Sequence, residues 1–116
     1  MKVQFNTDHN IDGHARLQKY AEDAITDTLG RFADRITRVE VHLSDENSAT
    51  KAGKDDHRCL LEARLANLNP VSVSHLAPSR EEALDGALDK LERMIDSTLG
   101  KIFDPKGGPS FGDQPA

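Results

Sequence analysis

Four stretches of the chain alternate apolar and polar residues, which is the pattern of half-buried β-strands. They cover residues 2–7, 36–45, 57–67 and 71–76. The apolar positions in these stretches are Val3, Phe5, Val39, Val41, Leu43, Cys59, Leu61, Ala63, Leu65, Val71 and Val73. Residues 46–56 are small or polar and predict a long exposed hairpin loop between the second and third strands.

Two longer stretches carry apolar residues at helical spacing instead. The first follows Asp12, a plausible N-cap, and reaches Gly30, which suits a C-terminal cap. Its predicted apolar stripe consists of Leu17, Tyr20, Ala21, Ala24, Ile25, Thr28 and Phe32.

The second predicted helix covers residues 79–103. It opens on Ser79 and Glu82, which have the spacing of a capping box, and Pro105 stops it. Its apolar stripe consists of Leu84, Ala87, Leu88, Leu91, Ile95, Thr98, Leu99 and Ile102. Residues 104–116 contain three Pro and three Gly, so we expect a disordered tail.

The order β-α-β-β-β-α predicts an α+β fold made of one domain over residues 1–103. Each helix has one apolar stripe and each strand one apolar face. The simplest arrangement is a two-layer sandwich with both helices packed on one face of a four-stranded sheet. The opposite sheet face is then open to solvent or to a partner.

Charge narrows the possible partners. Lys and Arg number 15 and Asp and Glu number 20, so the net charge of −5 argues against unaided adhesion to nucleic acid or anionic membrane. The single Cys59 cannot form an internal disulfide, and no run approaches the roughly 18 apolar residues of a spanning helix. With no apolar stretch at the N-terminus, we expect a cytoplasmic protein that does not bind membranes.

Few residues in the sequence suggest a catalytic site. One polar cluster precedes the first helix and lacks a recognised metal spacing: Asp8, His9, Asp12 and His14. His57 and Cys59 share a strand face, but Cys59 is in register with apolar neighbours and is best explained as a core residue. We expect no enzyme, no cofactor, no metal and no small-molecule substrate; a small enzyme using these groups is the least favoured alternative.

Basic residues form the remaining signal. The candidate phosphate-binding residues are Arg16, Lys19, Arg31, Arg35, Arg38, Lys90, Arg93 and Lys101. Arg31, Arg35 and Arg38 cluster between the first helix and the second strand, while Lys90 and Arg93 are three residues apart on one helix. Such groups can hold phosphates, although exposed helices also carry mixed charge without any such role.

Two segments resemble a known family. They are Ala83–Arg93, at the start of the last helix, and Leu29–Val39, at the junction between helix and strand. Together with the element order, they are similar to the short hibernation-promoting factor and ribosome-associated inhibitor A family over roughly residues 1–103. The resemblance implies a non-enzymatic factor that binds the small ribosomal subunit where tRNA and mRNA sit, inhibits translation and helps to store ribosomes. It also implies that Lys90, Arg93 and Lys101 contact rRNA, flanked by Arg31, Arg35 and Arg38.

The helices are more acidic than that family's pattern. Residues 79–103 hold four bases and six acids, and residues 12–30 hold two bases and four acids. This balance leaves a second hypothesis open, a protein-interaction or stress-response module that keeps the fold with an altered surface. It would pair as a homodimer through the free sheet face, which carries Gln4, Arg38, Glu40, His42, Arg58, Leu60, Glu62 and Arg64.

Overall fold

The computed structural model describes residues 1–7, 14–45 and 57–103. Its elements are β1 (Lys2–Thr7), α1 (His14–Leu29), a 3-10 turn (Gly30–Phe32), β2 (Ile36–Asp45), β3 (His57–Leu65), β4 (Val71–Ala77) and α2 (Arg80–Phe103). The predicted order β-α-β-β-β-α is confirmed. The predicted hairpin loop 46–56 and tail 104–116 lie outside the described residues.

The sheet has the strand order β1-β2-β3-β4. β1 runs parallel to β2, which requires the crossover through α1, and the other two pairs are antiparallel. Apolar residues line up across the strands toward the helices; Val3, Val39, Ala63 and Val71 form one such row. The α+β two-layer arrangement is therefore as predicted.

The core lies between this sheet face and the two helices. α1 contributes a buried stripe with four-residue spacing: Leu17, Ala21, Ile25 and Leu29. α2 contributes Ala83, Leu84, Ala87, Leu88, Leu91, Ile95 and Leu99. Tyr20, which the spacing placed in the stripe, is 38% exposed, because its ring turns toward α2 at the surface and its hydroxyl bonds to Asp85.

The end of α1 and the start of α2 are closed by different local structures. Gly30 does not form a left-handed cap; it opens the 3-10 turn, in which the Ala33 N–H donates to the Gly30 carbonyl at 3.0 Å. The capping box of α2 is confirmed, since the Glu82 N–H donates to Ser79 Oγ at 3.1 Å. The Ser79 hydroxyl in turn donates to the Glu82 carboxylate at 3.1 Å. The Asp12 cap lies outside the described residues.

β3 ends two residues earlier than the alternation predicts. Asn67 has a φ of 63°, in the left-handed region that Asn tolerates better than most residues. The Leu68 N–H then donates to the Leu65 carbonyl at 3.2 Å, which closes the turn leading to β4.

Candidate nucleic-acid interface

The charged side chains of α2 lie on two separate sides of the helix. At about 100° per residue, its acids fall within an arc of about 100°. These acids are Glu81, Glu82, Asp85, Asp89, Glu92 and Asp96. Lys90, Arg93 and Lys101 fall within a neighbouring arc of about 80°. We call these arcs the acidic side and the basic side of α2.

The acidic side faces α1. The Tyr20 hydroxyl donates to the Asp85 carboxylate, with oxygen–oxygen distances of 2.8 and 3.0 Å. This bond, with partial burial and the charges of Asp85 and Glu81, raises the pKa of Tyr20. A shallow cleft of about 260 Å³ lies between the helices, lined by Ala24, Thr28, Asp85, Leu88, Asp89 and Glu92. Its three carboxylates repel phosphate, so RNA has no electrostatic reason to enter this cleft.

Arg31, in the 3-10 turn after α1, lies against the acidic side of α2. Its guanidinium lies 3.5 Å from the Glu92 carboxylate and 3.7 Å from that of Asp96. It also lies over the Phe32 ring, 4.2 Å from the centroid. A phosphate approaching Arg31 therefore competes with two carboxylates that are already in place.

The basic side faces β4. Lys90 Nζ donates to the Ser74 carbonyl at 2.9 Å. Arg93 pairs with Asp89 at 2.8 Å, but both side chains are more than half exposed, and such surface pairs are weak. Lys101 lies in the last turn of α2, and its side chain is outside the described part of the structure. Lys90 and Arg93 are thus open to an incoming anion.

Two further candidates lie on α1. Arg16 and Lys19 are both exposed, and Lys19 is 3.4 Å from the Asp23 carboxylate one turn later. Arg35 is exposed just before β2, where its carbonyl accepts the Ala66 N–H at 2.8 Å. The eight candidate cations therefore do not form one continuous stripe over the helices.

Arg38 lies on the open sheet face, opposite the helices. The register shifts between Ile36 and Arg38, so that Ile36 stays in the core while Arg38 points to the other side. There Arg38 is the cross-strand neighbour of Lys2 on β1 and of Arg64 on β3. The structure thus separates Arg38 from Arg31, which the sequence grouped with it.

Glu40 lies among three nitrogen-bearing side chains on the open sheet face. Its carboxylate lies 2.9 Å from Arg38, 3.3 Å from His42 and 4.0 Å from Arg64. Its side chain is only 15% exposed. The strand residues pointing to this face include the bases Lys2, Arg38, Arg58 and Arg64 and the acids Glu40 and Glu62. Lys2 and Arg64 were absent from the sequence-derived candidates, although strand alternation already placed Arg64 on this face.

The catalytic candidates do not form a reactive site in the described residues. Cys59 is fully buried beside its cross-strand neighbours Leu43 and His75, and burial raises the pKa of its thiol to about 12. Such a thiol is not a nucleophile at neutral pH. Within residues 1–7, 14–45 and 57–103, no three metal-ligating side chains converge. Asp8, His9 and Asp12 lie outside that part of the chain, as does the side chain of His14.

Membrane insertion by a helix has no support in the described chain, since neither α1 nor α2 is long and apolar enough to cross a bilayer.

Solved structures of other proteins share the fold of this chain. The crystal structure of the N-terminal domain of Protein Y from Thermus thermophilus matches with a TM-score of 0.66 and 22% identity, covering 84% of this chain and 99% of that one. A ribosomal subunit interface protein from Coxiella burnetii matches with a TM-score of 0.65 and 15% identity, covering 87% and 100%. At these identities the likeness shows the fold alone. No protein of curated function matches the chain significantly.

Membership of a family rests on the sequence itself. The model of one family matches residues 5–102, which include the second half of β1 and nearly all of α2. The two segments that resemble the hibernation-factor family, Leu29–Val39 and Ala83–Arg93, both lie within this match. The chain therefore belongs to the sigma 54 modulation protein / S30EA ribosomal protein family, a family of ribosome-associated modulation proteins.

Proposed function

We propose that the protein is a hibernation factor of the cytoplasm that binds the small ribosomal subunit near the channel for tRNA and mRNA. It inhibits translation by occupying that channel and keeps ribosomes in store. The observation that carries the proposal is the family match over residues 5–102, because it includes the whole described fold from Phe5 almost to the end of α2. The action is steric and needs no catalytic group.

The separation of charge on α2 supports binding to rRNA despite a net charge of −5. Phosphate binding depends on the local arrangement of Lys and Arg more than on total charge. The basic side presents Lys90 and Arg93, with Lys101 about two turns after Arg93. On the acidic side, Asp85 contacts Tyr20 on α1, while Glu92 and Asp96 contact Arg31. The helix can therefore approach rRNA along its basic side with these three acids turned away from the phosphates.

The remaining candidates contribute unequally. Arg16 and Lys19 are exposed on α1 and can reach phosphates directly, and Arg35 is exposed just before β2. Arg31 contributes less, because Glu92 and Asp96 already neutralise much of its charge. Arg38 lies on the open sheet face, away from the helices, and would contact RNA from that separate surface.

Inhibition of a reconstituted translation reaction tests the proposal. Added protein should lower the yield of a reporter and lower the binding of initiator tRNA to 30S subunits at about 50 mM salt. The double variant Lys90→Gln with Arg93→Gln should need several-fold more protein for the same inhibition. Glu81→Gln, on the acidic side of the same helix, is the matched control and should inhibit at least as well as the parent. If saturating protein changes neither yield nor tRNA binding, the proposal is wrong.

A second candidate function is a protein-interaction module that pairs as a homodimer. Two of the eight candidate cations favour it, since Arg31 lies 3.5 Å from the Glu92 carboxylate and Arg38 lies 2.9 Å from the Glu40 carboxylate. Cations neutralised in this way suit a mixed protein interface better than a phosphate site. Light scattering that finds a monomer at every concentration tested would argue against the homodimer.

A further inference from the structure

Three cations form a row across the open sheet face. Lys2 on β1 is the register partner of Arg38 on β2, which is the register partner of Arg64 on β3. Adjacent strands are separated by about 4.8 Å, so the row spans about 10 Å across three strands. We call Lys2, Arg38 and Arg64 the cationic row.

The cationic row follows the regular register of the sheet. Arg38 pairs with Arg64 in the register that the rest of β2 and β3 keep, so strand alternation puts both on the open face. The register shift before Arg38 turns Ile36 into the core, although residues two apart in a uniform strand would share a face. The Thr37 hydroxyl donates to the Arg64 carbonyl at 3.0 Å and holds the two strands together at this point.

Repulsion within the cationic row lowers the stability of the isolated protein. Like charges directly opposite each other on neighbouring strands destabilise a sheet. Arg38 and Arg64 stand in that relation, and Lys2 adds a third positive charge beside them. Within the described chain, Arg38 Nε is also buried without a hydrogen-bond partner. Glu40 offsets part of the repulsion within the row, and an external anion beside the exposed charges would offset more of it.

The open sheet face carries more bases than acids, which sets it apart from α2. The strand residues facing this side carry four bases and two acids, whereas α2 carries four bases and six acids. We propose that the cationic row binds consecutive phosphates of one RNA strand, so that the open sheet face is a phosphate-contacting surface of the ribosomal complex. This inference rests on the proposed function and adds a surface to it.

Glu40 sets the strength of this contact. It accepts from Arg38 at 2.9 Å and lies 4.0 Å from Arg64, so it holds both guanidinium groups at the surface and neutralises part of their charge. Because the Glu40 side chain is 15% exposed, phosphates reach the guanidinium groups rather than the carboxylate. Removing the Glu40 charge should therefore strengthen RNA binding, which a loss of folding could not do.

RNA fits this face better than a second copy of the chain. Two copies stacked face to face would bring together two surfaces that each carry an excess of bases, and the excess would repel. The described strand residues on this face include no Phe, Tyr or Trp, so the row would bind the RNA backbone through charge rather than through a platform of stacked bases. A polyanion is the partner whose charge complements the row.

Equilibrium binding of the full chain to purified 30S subunits tests the proposal. The variants are Lys2→Gln, Arg64→Gln and Glu40→Gln, each checked for folding by circular dichroism. The matched control is Arg58→Gln, because Arg58 is an exposed arginine on the same strand and face as Arg64 but lies outside the row. The parent's Kd at about 50 and about 200 mM salt provides the reference.

Lys2→Gln and Arg64→Gln should raise Kd about fivefold at low salt, and each should reduce the loss of affinity between the two salt concentrations by about threefold. Glu40→Gln should lower Kd, and Arg58→Gln should leave it within about twofold of the parent. Equal effects of Arg58→Gln and Arg64→Gln on Kd would overturn the proposed binding by the cationic row, because net charge alone would then account for both.

Two other results would overturn the inference in distinguishable ways. If the parent binds 30S subunits and the row variants bind equally well, the inference is wrong while the proposed function stands. If the parent does not bind 30S subunits, the proposed function is wrong and the row loses its partner. A parent dimer in analytical ultracentrifugation that Arg64→Gln dissociates, with no change in 30S affinity, would instead assign the face to self-association.

Discussion

Gly86 of α2 packs directly against the imidazole ring of His75 on β4. A Cβ added at Gly86 would overlap the Cδ2, Nε2 and Cγ atoms of His75, the last at 2.7 Å. His75 points to the helix face of the sheet beside Cys59, so its ring occupies the space that a side chain at Gly86 would need. This contact sets how closely α2 approaches the edge strand.

Gly86→Ala should destabilise the protein by about 1 to 3 kcal/mol, although alanine favours a helix by up to about 1 kcal/mol over glycine. The overlap outweighs helix propensity because a proximal ring atom, Cγ, is involved and cannot swing away easily. Urea denaturation measures the change. Gly100→Ala is the matched control in the same helix, since nothing lies within 4 Å of its added Cβ, and it should stabilise by up to about 1 kcal/mol.

Combining Gly86→Ala with His75→Ala tests the cause. The pair should be more stable than the sum of the two single changes predicts, because removing the ring makes room for the added methyl group. Additive effects in this double-mutant cycle would contradict the explanation.

Tyr20→Phe should cost about 0.5 to 1 kcal/mol at neutral pH, because it removes the hydroxyl that donates to Asp85 across the two helices. The pKa of Tyr20 is raised in the folded protein, so its contribution is complete below pH 10 and is lost as the pH rises above 10 through the folded pKa. The stability difference between parent and variant should therefore shrink at alkaline pH. A difference that stays constant to high pH would show that the hydroxyl does not bond to Asp85.

The Cys59 thiol should be inert to a disulfide reagent at pH 8 in the folded protein and reactive in denaturant, because it is fully buried. Burial raises its pKa from 9.0 to about 12, so the unfolded chain releases this proton first. Its contribution to stability is therefore complete below pH 9 and is lost as the pH rises toward 12. Cys59→Ala should flatten this part of the alkaline stability curve, and rapid labelling of the folded parent would contradict the assignment.

Ser79→Ala should cost about 1 kcal/mol, because the Ser79 hydroxyl satisfies the free N–H of Glu82 at the start of α2. Ser79→Asp keeps an acceptor at the cap and is the control, with stability close to that of the parent. Thermal unfolding followed by circular dichroism compares the two. Equal losses in both variants would show that the cap is not the source of the effect.

Much of the fold could be predicted because the relevant signals are local. Alternation gave the strands, and Ser79 with Glu82 gave the start of α2 to within one residue. Gly30 was misinterpreted because a 3-10 turn and a left-handed cap both place glycine at the end of a helix. Tyr20 has the correct spacing for the core, and only its partner Asp85, 65 residues later, draws it to the surface.

The candidate site was harder to predict, because it depends on contacts between distant elements. Alternation placed Arg38 and Arg64 on the same open face, but only the strand order and register show that Arg38 lies between Lys2 and Arg64. The pairing of β1 with β2 joins distant segments of the chain, and nothing local in the sequence signals it. The two sides of α2 were readable from residue spacing, but their directions became clear only from the contacts of Arg31 with Glu92 and of Lys90 with Ser74.

The most direct test of the central claim is sedimentation of the full chain with purified ribosomal particles. At about 50 mM salt, with particles in excess, the protein should travel with 30S subunits and 70S ribosomes but not with isolated 50S subunits, and it should dissociate as salt rises. A protein that stays at the top of the gradient at about 50 mM salt would contradict the account.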